Sequence, residues 1–459
     1  MPTASLALFA ADATSLSTSV VGPLAAALGL LVVLAAVGRV PLSYNVNNLR
    51  ARAVPTAMTA GAFVLVTALL TAMLAFVNGM YVLTLGSGRA DNLIVLSEGA
   101  TDEGFSNLGF SDVGDLENQA GVARDGRRPL VSRETYLVVN QPLPNAPAGR
   151  PKRRFLQMRG IDDAGISAAV HAVELYPGGA WFSEAGVREL PAAGDAASSA
   201  TAIEAVVGEG LAREMARDDS GRLSEGKPRL DVGDTFTLNG RTWILTGIMQ
   251  SSGRTFDSEL WAKRGLIGPL FGKETYSSLV VRAEDAATAA RLKDFYNNEY
   301  KKAAVNAQIE TNYYEGLNET NKQFLYAIQF LTVVMSIGGI FGVMNTMYAA
   351  VSQRTREIGV LRLLGFSRVQ VLTSFLLESI LIALAGGAAG CALGSLVDGT
   401  TANSIVSSGA GGGKFVVLRL VVDADTLAVG MILSLAMGLL GGLLPALSAV
   451  RLRILNALR

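Results

Sequence analysis

Five apolar stretches, each near the roughly 20 residues that carry a helix across a bilayer, govern what this chain can fold into. They lie at 20–37, 57–82, 325–350, 371–397 and 427–450. A segment in hydrocarbon must satisfy its own backbone hydrogen bonds, so these stretches are expected to be helices. Most of the charge lies between them, from 83 to 322. Charged residues make up 17% of the chain, against about 25% in soluble domains. The formal net charge is zero, which removes any bulk electrostatic argument for a nucleic acid partner.

Cationic loops fix the expected orientation, because lysine and arginine collect on the cytoplasmic side. Arg39, Arg50 and Arg52 follow the first stretch; Arg354, Arg356, Arg362 and Arg368 follow the third; Arg451, Arg453 and Arg459 follow the fifth. The segment between the fourth and fifth stretches instead carries Asp398, Asp423 and Asp425 against Lys414 and Arg419. Before Val20 the only charge is Asp12, whereas a cleaved signal begins with a positive region. The first stretch is therefore expected to be a retained anchor, with the N-terminus outside and the C-terminus in the cytoplasm.

The resulting plan is an α-helical membrane bundle of five predicted spans with a large mixed α/β extracytoplasmic domain. Residues 1–19 lie outside, 20–37 span, and 38–56 form a cytoplasmic amphipathic helix leading into the span 57–82. Residues 83–322 form the outer domain, in one body or two lobes. Then come the span 325–350, a cytoplasmic helix at 351–370, the span 371–397, an outer loop at 398–426, the span 427–450 and a cytoplasmic tail at 451–459. Within the outer domain, strands are expected at 92–97, 135–140, 155–161, 203–208 and 277–282. Residues 234–250 read as a hairpin whose Asn239-Gly240 pair supplies the positive φ values of a type I′ turn. Residues 285–300 read as an amphipathic helix with Ala289, Leu292 and Phe295 on one face. Loops are expected at 140–151 and 191–201, and a helix starting near Leu317 is expected to run into the third span.

No constellation for catalysis stands out. The glycine-rich run 407–413 before Lys414 lacks the hydroxyl residue of a phosphate loop, since Phe415 follows. It reads as a loop between spans. Gly272-Lys273 fails for the same reason, with Glu274 next. Asn318-Glu319-Thr320 matches a glycosylation triplet, a pattern common by chance. His171 is the single histidine and Cys391 the single cysteine, so no metal site or disulfide is built from them. His171 reads as a surface or packing residue, and Asp162 and Asp163 read as turn residues. Glu378 falls inside the fourth span, where an ionisable side chain is a functional candidate by default; reaching toward the interface is the competing reading. Small residues recur at four-residue spacing in Gly338 and Gly342, in Gly386, Gly390 and Gly394, and in Gly438 and Gly442. Such spacing lets helix backbones approach closely, either within the chain or in a dimer.

The loop after the third span carries the most specific pattern. Ile358, Leu361 and Leu364 recur at helical spacing among Arg354, Glu357 and Arg362, Gly365 can stop the helix, and Ser367 can cap the next. An arginine-anchored helix on anionic membrane lipid is the plain account. Yet the run Met344-Asn345-Thr346-Met347, then Gln353 to Gly359, then Gly365, closely resembles the permeases of the FtsX/MacB/LolC–LolE group of ABC transporters. Glu378, Gly386-Gly387, Pro445-Ala446, Arg451 and the final Ala457-Leu458-Arg459 extend the resemblance, as does Asn48-Leu49-Arg50 ahead of the second span. It covers about 41–82 and 320–459; the outer domain matches mainly in position and strand texture. The extra first span departs from the usual four, and no fused ATPase domain is present.

That resemblance implies a permease subunit in the bacterial inner membrane whose coupling helix docks on a separate ABC ATPase. Arg354, Arg356, Glu357, Gly359, Arg362 and Gly365 would form the contact. ATP and Mg would belong to the partner, and no cofactor or metal to this chain. A second permease chain, as homodimer or heterodimer, and a periplasmic adaptor or cargo protein are the other expected partners. The outer domain would serve export or extraction of a lipoprotein, peptide or drug-like cargo; the alternative is a scaffold that switches an outside partner such as a cell-wall hydrolase.

Overall fold

A computed structural model of the chain describes residues 49–451 except 144–145, 147, 149–151, 191–199, 219–226, 251–252, 318 and 407–413, together with positions 21, 22, 25, 29 and 47. The first predicted span, the glycosylation triplet's Asn318, most of the 191–201 loop, the glycine-rich run 407–413 and the tail beyond 451 lie outside the described residues, wholly or in large part. Two units form: residues 1–78, 324–400 and 420–459, and residues 79–323 and 401–419.

Helix α1 spans Ala53–Leu85. The α/β unit then follows, with β1 (Asn92–Ser97), β2 (Val131–Pro142), β3 (Arg153–Ile161), α2 (Ala164–His171), β4 (Val187–Leu190), β5 (Ala200–Gly208) and α3 (Glu209–Arg217). It continues through β6 (Thr235–Leu238), β7 (Arg241–Met249), β8 (Glu259–Lys263), α4 (Arg264–Phe271), β9 (Ser278–Arg282), α5 (Ala286–Asp294), β10 (Val305–Ile309) and α6 (Glu310–Gly316). The strands make one ten-stranded sheet in the order β10-β1-β9-β2-β3-β8-β5-β7-β6, with β4 paired to β5. Pairing is antiparallel except between β3 and β8 and between β5 and β7.

Local chemistry explains much of this. Asn239 and Gly240 both take positive φ, 50° and 70°, and turn β6 into β7. Asp285 caps α5 by accepting from the Thr288 amide, and the chain continues as a π-helical turn over Phe295–Glu299. Asp163 caps α2, accepting from the Gly165 and Ile166 amides at 2.9 and 3.1 Å. Apolar clusters fill the unit, one around Leu93, Leu116, Leu279 and Tyr296, one around Leu156, Leu211, Trp243 and Leu260, and one around Ile161, Val206, Phe256 and Trp261.

The helical unit contains α7 (Glu319–Gln353), α8 (Thr355–Leu363), α9 (Arg368–Gly394) and α10 (Ala424–Arg451). Among the described residues four helices, α1, α7, α9 and α10, are long and apolar enough to cross a membrane, and they match the second to fifth predicted spans. The helix expected to start near Leu317 is α7, which begins at Glu319 and runs on to Gln353, while Leu317 caps the end of α6. The structure makes two corrections. The expected loop at 140–151 starts later, because Asn140 to Pro142 still pair with β3. The expected outer loop at 398–426 holds a hairpin, β11 (Thr401–Val406) paired with β12 (Lys414–Arg419).

Two of the glycine rows meet helices of the same unit. A side chain at Gly386, Gly390 or Gly394 would strike the Cβ of Phe63, Thr67 or Thr71 on α1 at 2.5–2.7 Å. Gly438 and Gly442 of α10 sit equally close to Ala383 and Ser379 of α9. Gly338 and Gly342 have the same spacing but no neighbour within 4 Å of an added Cβ. They lie among exposed Val334, Ile337 and Phe341. Only 17% of the apolar window of α7 is buried, against 44% in each of the other three spanning helices.

Candidate functional site

Between α7 and α9 the chain turns through a single non-helical residue, Arg354, then α8, then a short return. Arg354 accepts the first α8 hydrogen bond, from the Ile358 amide at 2.9 Å. At the far end Gly365 takes φ +95°. The Phe366 amide donates to Leu361 O and the Gly365 amide to Arg362 O, the paired bonds of a Schellman stop. Ser367 and Gln370 then exchange side-chain and backbone bonds in a capping box that starts α9. The predicted helix, stop and cap are all present.

Its faces divide the predicted contact residues. Ile358 and Gly359 are buried, Ile358 within the cluster that holds Val371 and Phe375 of α9. Arg356 and Glu357 are exposed and Arg362 half-buried. The apolar stripe is wider than Ile358, Leu361 and Leu364 suggest. Leu364 is 71% exposed because it caps the helix rather than continuing it. With Val360 and Leu363, 47% and 63% exposed, it makes a second apolar ridge facing away from the bundle.

Arg354 points inward. Its side chain is 7% exposed, and Nη1 donates to Glu378 Oε2 of α9 at 2.8 Å. Nε lies 3.6 Å from Glu357, and the guanidinium stands 5.7 Å from the Phe375 ring centre. Glu378 is thus engaged inside the bundle, 4% exposed, instead of reaching out to the interface. On the neighbouring residue, Arg52 donates to the Gln353 side chain.

A second polar cluster, not anticipated from the sequence, occupies the sheet of the α/β unit. Arg159 on β3 pairs with Tyr136 on β2 and Trp261 on β8, so Glu134 and Glu259, two residues away on those strands, share its face. Arg159 donates to Glu259 at 2.7 and 2.8 Å, to Glu103 at 2.7 Å and to Glu134. His171, at the end of α2, bonds Glu134 through Nε2 and lies 3.6 Å from Glu310 through Nδ1. Glu310 in turn accepts from the Arg89 amide and from Asn92. All these ionic side chains are at most 1% exposed.

Burial by itself would lower the His171 pKa, but the Glu134 charge and hydrogen bond, with Glu310, lift it to about 9. Burial would likewise raise Glu134, yet Arg159 and His171 hold it at about 2. The histidine is therefore a buried cation, packed against Phe256 and Trp261, which fits the packing reading and corrects the surface one. Among the described residues no group of three or more acidic, histidine or cysteine side chains is arranged to hold a metal ion. Asp162, read as a turn residue, also receives Arg264 Nε at 2.6 Å. The local sequence gives little signal: in Phe155-Leu156-Gln157-Met158-Arg159, alternation puts Arg159 on the face of Gln157, opposite Leu156 and Met158.

Comparison with known proteins covers both units. The MacB-like periplasmic core domain family matches residues 56–294, and the FtsX-like permease C-terminal family matches 329–454. The macrolide export ATP-binding/permease protein MacB of Vibrio parahaemolyticus is 26% identical over 257 residues, 54% of this chain and 38% of that protein. The uncharacterized ABC transporter permease YknZ of Bacillus subtilis is 28% identical over 239 residues, 50% of this chain and 57% of that one. The crystal structure of the periplasmic region of MacB from Actinobacillus actinomycetemcomitans matches with a TM-score of 0.33 and 13% identity, over 51% of this chain and 95% of that one. The chain thus spans well under two thirds of the length of these curated relatives.

Proposed function

Since this chain belongs to the family of ABC transporter permeases that join a MacB-like periplasmic core to an FtsX-like C-terminal region, we propose that it is the permease subunit of a transporter whose ATP is hydrolysed by a separate chain. On this reading α8 is the coupling helix. The observation that carries the proposal is its outward ridge of Val360, Leu363 and Leu364, bordered by Arg356, Glu357 and Arg362. An exposed apolar ridge with charges at its rim has the composition of a protein contact. ATP and Mg reside in the partner, and the α/β domain outside the cytoplasm acts on a lipoprotein, peptide or drug-like cargo, with or without a periplasmic adaptor. The chain sits in the bacterial inner membrane with its N-terminus outside and its C-terminus inside. The α7 face around Gly338 and Gly342, which meets no helix among the described residues, receives a second permease chain.

The test is purification from the native host in mild detergent with mass spectrometry of associated chains, comparing wild type with Leu363→Asp/Leu364→Asp. An ATPase with a phosphate loop accompanies wild type and is lost from the variant. If wild type brings no such ATPase under several mild detergents, the coupling assignment fails and the outer domain becomes a candidate receptor or switch for an outside partner.

A further inference from the structure

We infer that Arg354 is not part of the docking surface but a positioning residue: its buried bond to Glu378 pins the joint between α7 and α8 to α9, so that α8 pivots about a fixed point. The inference rests on reading α8 as the coupling helix, but its geometry does not depend on that reading.

Arg354 is the one residue between Gln353, the last of α7, and Thr355, the first of α8, with φ −107° and ψ 15°. A hinge needs such a residue to absorb changes of direction between two rigid helices. Left to itself the joint would be loose. Instead the guanidinium is buried against Phe375 and bonded to Glu378, one turn further along α9. Charge-assisted bonds are directional, and parting two opposite charges in a low-dielectric interior is costly. The joint therefore keeps its place while α8 retains freedom to tilt.

What the pin holds on to matters as much. Glycines seat α9 on α1, and α10 on α9, at distances that no side chain could occupy. A pull delivered through Glu378 thus moves α1, α9 and α10 together, since close-packed helices do not slide freely. Among the described residues helix α7 makes fewer such contacts: only Gly339 against Met437 and Gly441 against Val343 approach comparably. Cutting the pin would let α8 move with the end of α7 and leave the packed group behind. Arg356 and Arg362 make no such bond to α9 among the described residues, so the role falls to Arg354.

The test needs no ATPase in its first arm. The full chain is placed in lipid nanodiscs with Cys391→Ser and spin labels at Leu363 on α8 and Leu393 on α9, both exposed. The unaltered pin gives one narrow distance distribution. Arg354→Gln and Glu378→Gln each broaden or shift it, and Arg354→Glu/Glu378→Arg restores the narrow form. A purely structural loss would not be repaired by exchanging the charges, and monodisperse gel filtration excludes gross misfolding. An unchanged distribution in both single variants overturns the pin whatever binds α8, as does a broad distribution in the exchanged pair. In the second arm, an ATPase that accompanies wild type stays with Arg354→Gln and is lost from Leu363→Asp/Leu364→Asp. Loss from Arg354→Gln as well would return Arg354 to the docking surface. If wild type brings no ATPase, the coupling reading fails while the first arm still decides the pin.

Discussion

Replacing His171 by glutamine removes a cation that faces Glu134 on one side and Glu310 on the other. In the folded chain the imidazolium titrates at about 9, against 6.5 when unperturbed. Below about 6.5 both folded and unfolded chains carry the proton, and the full benefit is present. Between 6.5 and 9 only the folded chain holds it, so stability falls as pH rises; above 9 the benefit is gone. At 1.36 kcal/mol per tenfold in proton affinity, the difference is about 3 kcal/mol. Glu134, held at about 2 by Arg159 first and His171 second, contributes from the acid side: its benefit is present above 4.5 and lost as pH falls toward 2. The two values describe one coupled pair and do not add. The assay is urea unfolding of the full chain in detergent, followed by tryptophan fluorescence. The three tryptophans, Trp181, Trp243 and Trp261, all lie in the α/β unit, and Trp261 is 5.5 Å from the His171 ring. With a slope of roughly 3 kcal/mol per molar urea, the variant's midpoint falls about 1 M below wild type at pH 6, and the two converge by pH 10. Midpoints that coincide at pH 6, or that stay equally separated from pH 6 to pH 10, would refute the argument.

Packing and charge set the outcome for three other variants. Arg159→Met leaves Glu103, Glu134 and Glu259 without the guanidinium they share, a loss of about 3–5 kcal/mol; limited proteolysis should no longer leave a resistant α/β unit, and adding Glu103→Gln should recover part of it. Gly390→Val drives a side chain into Thr67 and the Val64 carbonyl and costs about 1–3 kcal/mol, read as earlier thermal aggregation in detergent. Gly342→Val, facing open space, leaves that temperature unchanged but weakens chemical cross-linking between copies if α7 meets a second chain.

Where structure depends on neighbours in sequence, it was readable. Strand β1 has the expected bounds, Asn239-Gly240 supplies both positive φ values, and Gly365 and Ser367 stop and restart the helices where their chemistry predicts. What failed depends on which face a distant element covers. Alternation puts Glu134, Arg159 and Glu259 on one side of the sheet, but their burial requires Glu103, 56 residues from Arg159, and Glu259, 100 residues away. Nothing local marks that meeting. Arg354 misled for the same reason: a cation in a short loop ordinarily stays in water or at the lipid surface, and its partner lies 24 residues further on. The three glycine rows share one spacing, yet among the described residues only two meet a helix, because spacing fixes a face and not its occupant.

The two buried ionic sites have a common physical consequence. Exchanging a buried ion pair for apolar side chains often leaves stability unchanged or improves it, whereas removing one partner is severe. Neither Arg354–Glu378 nor the Arg159 cluster is therefore best understood as added strength. Each makes one arrangement far better than its neighbours, since a small displacement separates charges where water cannot compensate. An apolar surface such as the exposed face of α7 sets no comparable position, because one hydrocarbon contact replaces another at little cost. Arg354–Glu378 and His171–Glu310 each fix one position within their own unit. Glu310 opens α6, and Arg354 closes the step after α7, so both pins stand at helix ends, where a change of direction is least costly to the backbone. A variant that loosened α7 packing should thus leave both joints in place, whereas neutralising either pin should free its own joint alone.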